Sequence, residues 1–180
     1  MKTYVGIDPG KTGAVAMITP TPSPYAVDDI VDFLDADKTD LSVLVEIFIK
    51  ANHLNTSIFV LLEKPQVMPG SKARRLAAGV AAGLPEGEEK EVGQGRVGIL
   101  NYGIAYGEYR GMLKALKIPF AEIHPATWKA AFSLFHQPKE RSIEVAKQIF
   151  PSTVDRLTLK KHHGRAEALL IAEYARRRNM

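Results

Sequence analysis

The chain has 180 residues, 46% of them apolar and 24% charged, with a formal net charge of +4. That length and balance suit one soluble globular domain over residues 1–180 and exclude a disordered or fibrous chain. No apolar run reaches the roughly 20 residues that cross a bilayer, and the absence of cysteine excludes disulfides, thiolate zinc sites and thiol nucleophiles.

The N-terminal residues lack the charged-then-apolar layout of a signal peptide, because Asp8 and Gly10 interrupt it. The expected location is intracellular, cytoplasmic ahead of organellar, with no membrane partner. Charge is unevenly spread. Residues 1–50 hold eight acids and four bases, whereas residues 138–180 hold ten bases and five acids. The later chain is where a polyanion would be met, although a solvated helix face gives the same count.

Residues 2–8 read as a β-strand ending in an acid, Asp8. Pro9-Gly10-Lys11-Thr12-Gly13 supplies a turn and residues 14–18 a second strand, so the pair forms a hairpin. Three prolines make 19–24 a loop. The spacing of Ile30, Val31, Leu34, Leu41, Val43, Leu44, Ile47 and Phe48 predicts a helix over 28–52, with a break near Asp37 to Asp40. Residues 57–62 are a short apolar run of strand formers, and they deliver a second acid, Glu63, at their C-terminal end. Residues 66–98, rich in Gly, Ala and charge, read as an irregular mobile segment. Residues 99–116 read as a helix with Gly103, Gly107 and Gly111 four apart, a spacing that permits close approach of another helix or a strand. A strand at 120–123, a helix opening at Pro125, a helix over 139–150 closed by Pro151, and a last helix over 164–178 complete the chain. In that last helix Ala166, Leu169, Leu170 and Ala172 pack inward.

Three acids stand out in this order of elements. Asp8 and Glu63 end two separate strands, and Glu167 lies in the first turn of an apolar helix just after His162 and His163. Each has an ordinary explanation: a turn acid before Pro-Gly, a partner for Lys64 or Arg74, and a helix cap. Taken together they suggest a site for hard divalent ions, because acids at such places cost desolvation energy unless compensated. Magnesium prefers a few carboxylate oxygens and keeps its waters, and two such ions serve phosphodiester cleavage.

Gly6-Ile7-Asp8-Pro9-Gly10, the strand-end Glu63, Pro125-Ala126-Thr127-Trp128-Lys129 and the run Lys160-Lys161-His162-His163-Gly164-Arg165-Ala166-Glu167-Ala168 occur in this order. With them the chain resembles the RuvC-like Holliday-junction resolvases, and within these the bacteriophage and plant-organelle branch. The resemblance implies an α/β, RNase H-like fold with a mixed sheet flanked by helices. It also implies a homodimer that nicks four-way DNA junctions symmetrically, with two magnesium or manganese ions per site. Asp8, Glu63 and Glu167 match the family's metal-binding acids. His162 stands where that branch usually has an aspartate. Imidazole suits manganese better than magnesium, so His162 is expected to be a catalytic ligand. His163 is the competing ligand, sharing the face of Glu167 if the last helix begins early.

Lys72, Arg74 and Arg75, in the segment after Glu63, are nominated for phosphate contact, Lys129 by its family position, and Tyr102 and Tyr106 for stacking on an opened base. Three other readings compete. Asp8 to Gly13 also resembles the first phosphate loop of actin-like ATPases, which need a second such domain. A junction-binding protein whose site has decayed at His162 is another, and an RNase H-like nuclease acting on flaps, other branched DNA or RNA is the third.

Overall fold

The strand Lys2–Asp8 (β1) is buried along almost its whole length, as a strand covered on both faces must be. This computed structural model describes residues 2–10, 12–20, 30–35, 41–53, 57–65 and 96–180. β1 pairs antiparallel with Ala14–Thr19 (β2), which pairs antiparallel with Ile30–Asp35 (β3). On its other side β1 pairs parallel with Ser57–Glu63 (β4), and β4 pairs parallel with Phe120–Ile123 (β5). The order β3-β2-β1-β4-β5 makes a five-stranded mixed sheet. Helices Leu41–His53 (α1), Arg96–Ala115 (α2), Pro125–Ala131 (α3), Glu140–Ile149 (α4) and His163–Arg177 (α5) complete the elements, with short 3-10 turns at Pro151–Arg156 and Lys160–His162. This is an α/β fold with a mixed sheet flanked by helices, as the resemblance implies.

Strand alternation divides the core in two. Tyr4, Ala14, Ala16, Ile18 and Leu61 point toward Trp128 of α3, Ile143 and Ala146 of α4, and the buried face of α5. Val5, Ile7, Val15, Val60 and Leu62 point toward Leu44 and Phe48 of α1 and Tyr109 and Leu113 of α2. Asp8 and Glu63 continue the first series, so both acids project toward the α5 layer. The parallel register Ile7 to Leu62 sets them level at the C-terminal ends of neighbouring strands.

α5 lies very close to β1 because glycine and alanine meet there. A Cβ on Gly6 would stand 2.5 Å from the Ala172 nitrogen and closer still to the Ala168 carbonyl oxygen. A Cβ on Gly164 would run into the Thr12 carbonyl in the β1–β2 turn. Gly164, Ala168 and Ala172 are four apart, so one stripe of small residues seats the helix on turn and strand alike.

The fold departs from the sequence expectations in several places. The helix over 28–52 is a strand, β3, followed by a separate helix, α1. Ile-Val-Asp-Phe-Leu-Asp has apolar residues compatible with either period, and the free edge of β2 decides in favour of pairing. The break expected at Asp37 to Asp40 lies outside the described residues. β2 runs on through Thr19, the first residue of the expected loop; residues 21–24 lie outside the described residues. α2 starts at Arg96, so the last residues of the expected irregular segment are helical; residues 66–95 lie outside the described residues. Gly103, Gly107 and Gly111 meet no other described part of the chain, and a Cβ on each would enter open space. The close approach that their spacing permits is not made among the described residues. The last helix begins at His163, which places Glu167 just beyond its first turn.

Candidate active site

Three elements deliver carboxylates to one end of the sheet. β1 ends in Asp8, β4 ends in Glu63, and Glu167 sits on α5 one residue before Ala168, which rides against Gly6. All three acids are buried.

Each acid has a donor from the protein. The Gly10 N–H donates to Asp8 Oδ1 at 3.0 Å. Trp128 Nε1–H donates to Glu63 Oε2 at 2.6 Å, and Lys129 Nζ lies 3.1 Å from Glu167 Oε1. Trp128 and Lys129 are consecutive on α3, and the ammonium also stands 5.1 Å from the indole centroid.

These donors do not balance the charge. Burial, and then the neighbouring negative charge of Glu167, raises Asp8 to about 6, against the pull of the Gly10 N–H, Lys129 and His163. Burial, and then the charge of Asp8, raises Glu63 to about 8, although the Trp128 N–H and Lys129 act in the opposite direction. Acids that repel one another in a buried site favour any cation that can be shared among them.

Oxygen-rich and negatively charged, this donor set suits a hard divalent ion. Among the described residues no three His, Asp or Glu side chains already converge closely enough to enclose one ion. The arrangement is an open one, with each carboxylate resting on a protein donor.

The two histidines differ in their engagements. His163 Nε2 meets the Thr12 hydroxyl at 3.2 Å, and its Nδ1 meets the Lys160 carbonyl at 3.1 Å. A carbonyl only accepts, so Nδ1 carries the hydrogen, and in the neutral ring Nε2 accepts from the Thr12 hydroxyl. His163 also acts electrostatically on Asp8. His162 Nδ1 accepts the Leu159 backbone N–H at 3.2 Å, so in the neutral ring Nε2 carries the hydrogen.

The remaining nominees separate clearly. Tyr102 belongs to the site: a Cβ on Gly10 would lie 3.8 Å from its ring, and its hydroxyl is held above its usual range by burial and then by Glu63, Asp8 and Glu167. Tyr106, one turn on, hydrogen-bonds Glu122 instead. Glu122 also pairs with Arg110 at 2.7 Å and with Lys64 at 3.4 Å, so Lys64 serves Glu122. Lys129 lies among the acids. Lys72, Arg74 and Arg75 lie outside the described residues.

Trp128 and Thr12 are site residues that the sequence reading did not single out. A buried indole must find an acceptor for its N–H, and the chain's sole tryptophan beside Lys129 was the available signal. Nothing local identifies the acceptor, because Glu63 is 65 residues away.

No family model matches the chain. The chain is 30% identical over 120 residues to the chloroplastic Holliday junction resolvase MOC1 of Chlamydomonas reinhardtii. That stretch covers 59% of this chain and 14% of the relative, so the chain spans about a seventh of that relative's length. It bears out the resemblance to Holliday-junction resolvases carried by the motifs. Two solved structures are similar over 98% of this chain and 96% of theirs. Thermus thermophilus RuvC in complex with Holliday junction substrate is 14% identical with a TM-score of 0.49. Thermus thermophilus RuvC is 16% identical with a TM-score of 0.46. Among the described residues, no helix is long and apolar enough to cross a membrane.

Proposed function

We propose that residues 1–180 form the nuclease domain of a divalent-metal-dependent endonuclease that resolves four-way DNA junctions. The observation that carries this reading is the gathering of Asp8, Glu63 and Glu167 at one end of the sheet, where burial, and then mutual repulsion, lifts Asp8 and Glu63 well above the usual carboxylate range. The relative's name supports a junction as the substrate.

Asp8, Glu63 and Glu167 would hold magnesium or manganese, two ions per site, with a histidine as the nitrogen ligand. His163 is favoured over His162, because its ring meets Thr12 in the turn after Asp8 and it acts electrostatically on Asp8. The chemistry that such ions would supply there is activation of a water molecule and stabilisation of the leaving oxygen of a phosphodiester. The protein's own groups hold the carboxylates in place and exclude bulk water from them. Lys129 supplies a cation that the incoming phosphate can share with Glu167. Tyr102 offers a ring beside the acids on which a nucleotide can rest. Lys72, Arg74 and Arg75 are proposed as further phosphate contacts. A four-way junction presents two equivalent strands, so a two-fold homodimer with two equivalent sites nicks it symmetrically.

The test is a side-by-side assay on four-way junction, linear duplex, flap and RNA substrates with magnesium and with manganese. Cleavage of the junction in preference to the other three is the expected result. Preferential cleavage of flap or RNA would instead make the chain an RNase H-like nuclease of another specificity, and junction binding without cleavage would make it a binding protein. In the same assay His163→Ala is expected to lose more activity than His162→Ala. The reverse order would make His162 the ligand.

A further inference from the structure

We propose that Trp128 is a positioning residue for the metal site: its indole N–H locks the Glu63 carboxylate in the orientation that leaves its other oxygen for an ion. The inference rests on the nuclease reading, which gives Glu63 a metal to hold.

The geometry begins at the ends of β4 and β5. The Lys64 N–H donates to the Ile123 carbonyl at 2.8 Å, which ties the residue after Glu63 to the last residue of β5. α3 starts two residues later with Pro125, whose fixed φ suits a first helical position. One turn into that helix Trp128 stands beneath Glu63 with no solvent exposure at all. Its ring is packed in the core between the sheet and α5. The donor therefore cannot move without disturbing that core, and its 2.6 Å contact fixes one carboxylate oxygen of Glu63.

A buried N–H with no acceptor costs free energy, so the indole and the carboxylate hold each other. Outer hydrogen bonds of this kind orient metal-ligating groups, and their loss typically lowers metal affinity about 10- to 100-fold. Lys129, the next residue, holds Glu167 in parallel. α3, only seven residues long, thus steadies acids from two different elements.

The test uses manganese binding by calorimetry, with no DNA and no turnover. The wild-type chain is compared with Trp128→Phe and with a chain carrying 3-benzothienylalanine at position 128. The second replacement keeps the shape of the ring but lacks the N–H, which separates the hydrogen bond from the packing. Because the chain has a single tryptophan, indole emission during a magnesium titration reports directly on this contact. The expected result is a loss of manganese affinity of about 10-fold or more in both variants, with thermal unfolding of the benzothienyl chain close to wild type. Wild-type emission is expected to change saturably with magnesium, and this response should vanish in Glu63→Gln. Wild-type manganese affinity in the benzothienyl chain overturns the inference while leaving the nuclease reading intact. A wild-type chain that binds no manganese overturns both.

Discussion

Burial and neighbouring acids make the charged forms of Glu63 and Asp8 costly, and that cost has a sign that can be measured. Burial, then repulsion from neighbouring acids, lifts Asp8 to about 6 and Glu63 to about 8. A carboxyl group whose folded pKa exceeds its unfolded value favours the folded state at low pH and loses that contribution as pH rises through the folded pKa. The metal-free protein is therefore expected to lose thermal stability between about pH 4 and about pH 8, by an amount on the order of a few kcal/mol. Added magnesium should restore stability most strongly at the alkaline end, where both acids give up their protons. Glu63→Gln should flatten the profile and raise the metal-free melting temperature at pH 8. Melting curves across that range check this, and a metal-free protein that grows more stable toward pH 8 would contradict it.

At the scale of elements, the site depends on how closely α5 seats on β1. Gly6 leaves no room for a Cβ against the Ala168 carbonyl and the Ala172 nitrogen, so Gly6→Ala must push the helix outward and carry Glu167 with it. Overpacking of this kind costs about 1–3 kcal/mol. The expected outcome is a loss of unfolding free energy of that size, seen as a lower urea midpoint, together with weaker manganese binding. An unchanged midpoint would mean that the helix yields without strain.

Much of this arrangement was legible in the chain. Asp8 and Glu63 were readable because each closes an apolar strand, and Glu167 because it interrupts an apolar helix face. Strand β3 was not, since Ile30 to Asp35 fits two periodicities and its pairing with β2 is a non-local contact. The start of α5 at His163 was not either, because a 3-10 turn over Lys160–His162 leads into it without a break. The roles of Trp128 and Thr12 depend on partners 65 and 151 residues away, beyond the reach of any local pattern.

At the scale of the whole molecule, α2 presents a surface that the rest of the described chain does not cover. Leu100 and Ile104 are exposed, and Gly103, Gly107 and Gly111 face open space. A second copy of the chain can approach closely there, which is the contact expected for the proposed homodimer. Gly107→Arg and Ile104→Glu should shift the sedimenting species at micromolar concentration from dimer to monomer and suppress paired nicking. A wild-type chain that sediments as a monomer yet cleaves both strands of a junction would remove the dimer from the account.

The central claim is that Asp8, Glu63 and Glu167 work as one metal-binding set on junction DNA, and one paired measurement addresses it: cleavage and binding of a synthetic four-way junction by Asp8→Asn, Glu63→Gln and Glu167→Gln. Carboxylates hold the metal while lysine and arginine supply the affinity for phosphate. Each variant is expected to lose cleavage by about 100-fold or more, as when a transition-state charge-stabilising group is removed, and to bind the junction as tightly as wild type or more tightly. Near-normal cleavage by any one of the three would contradict it.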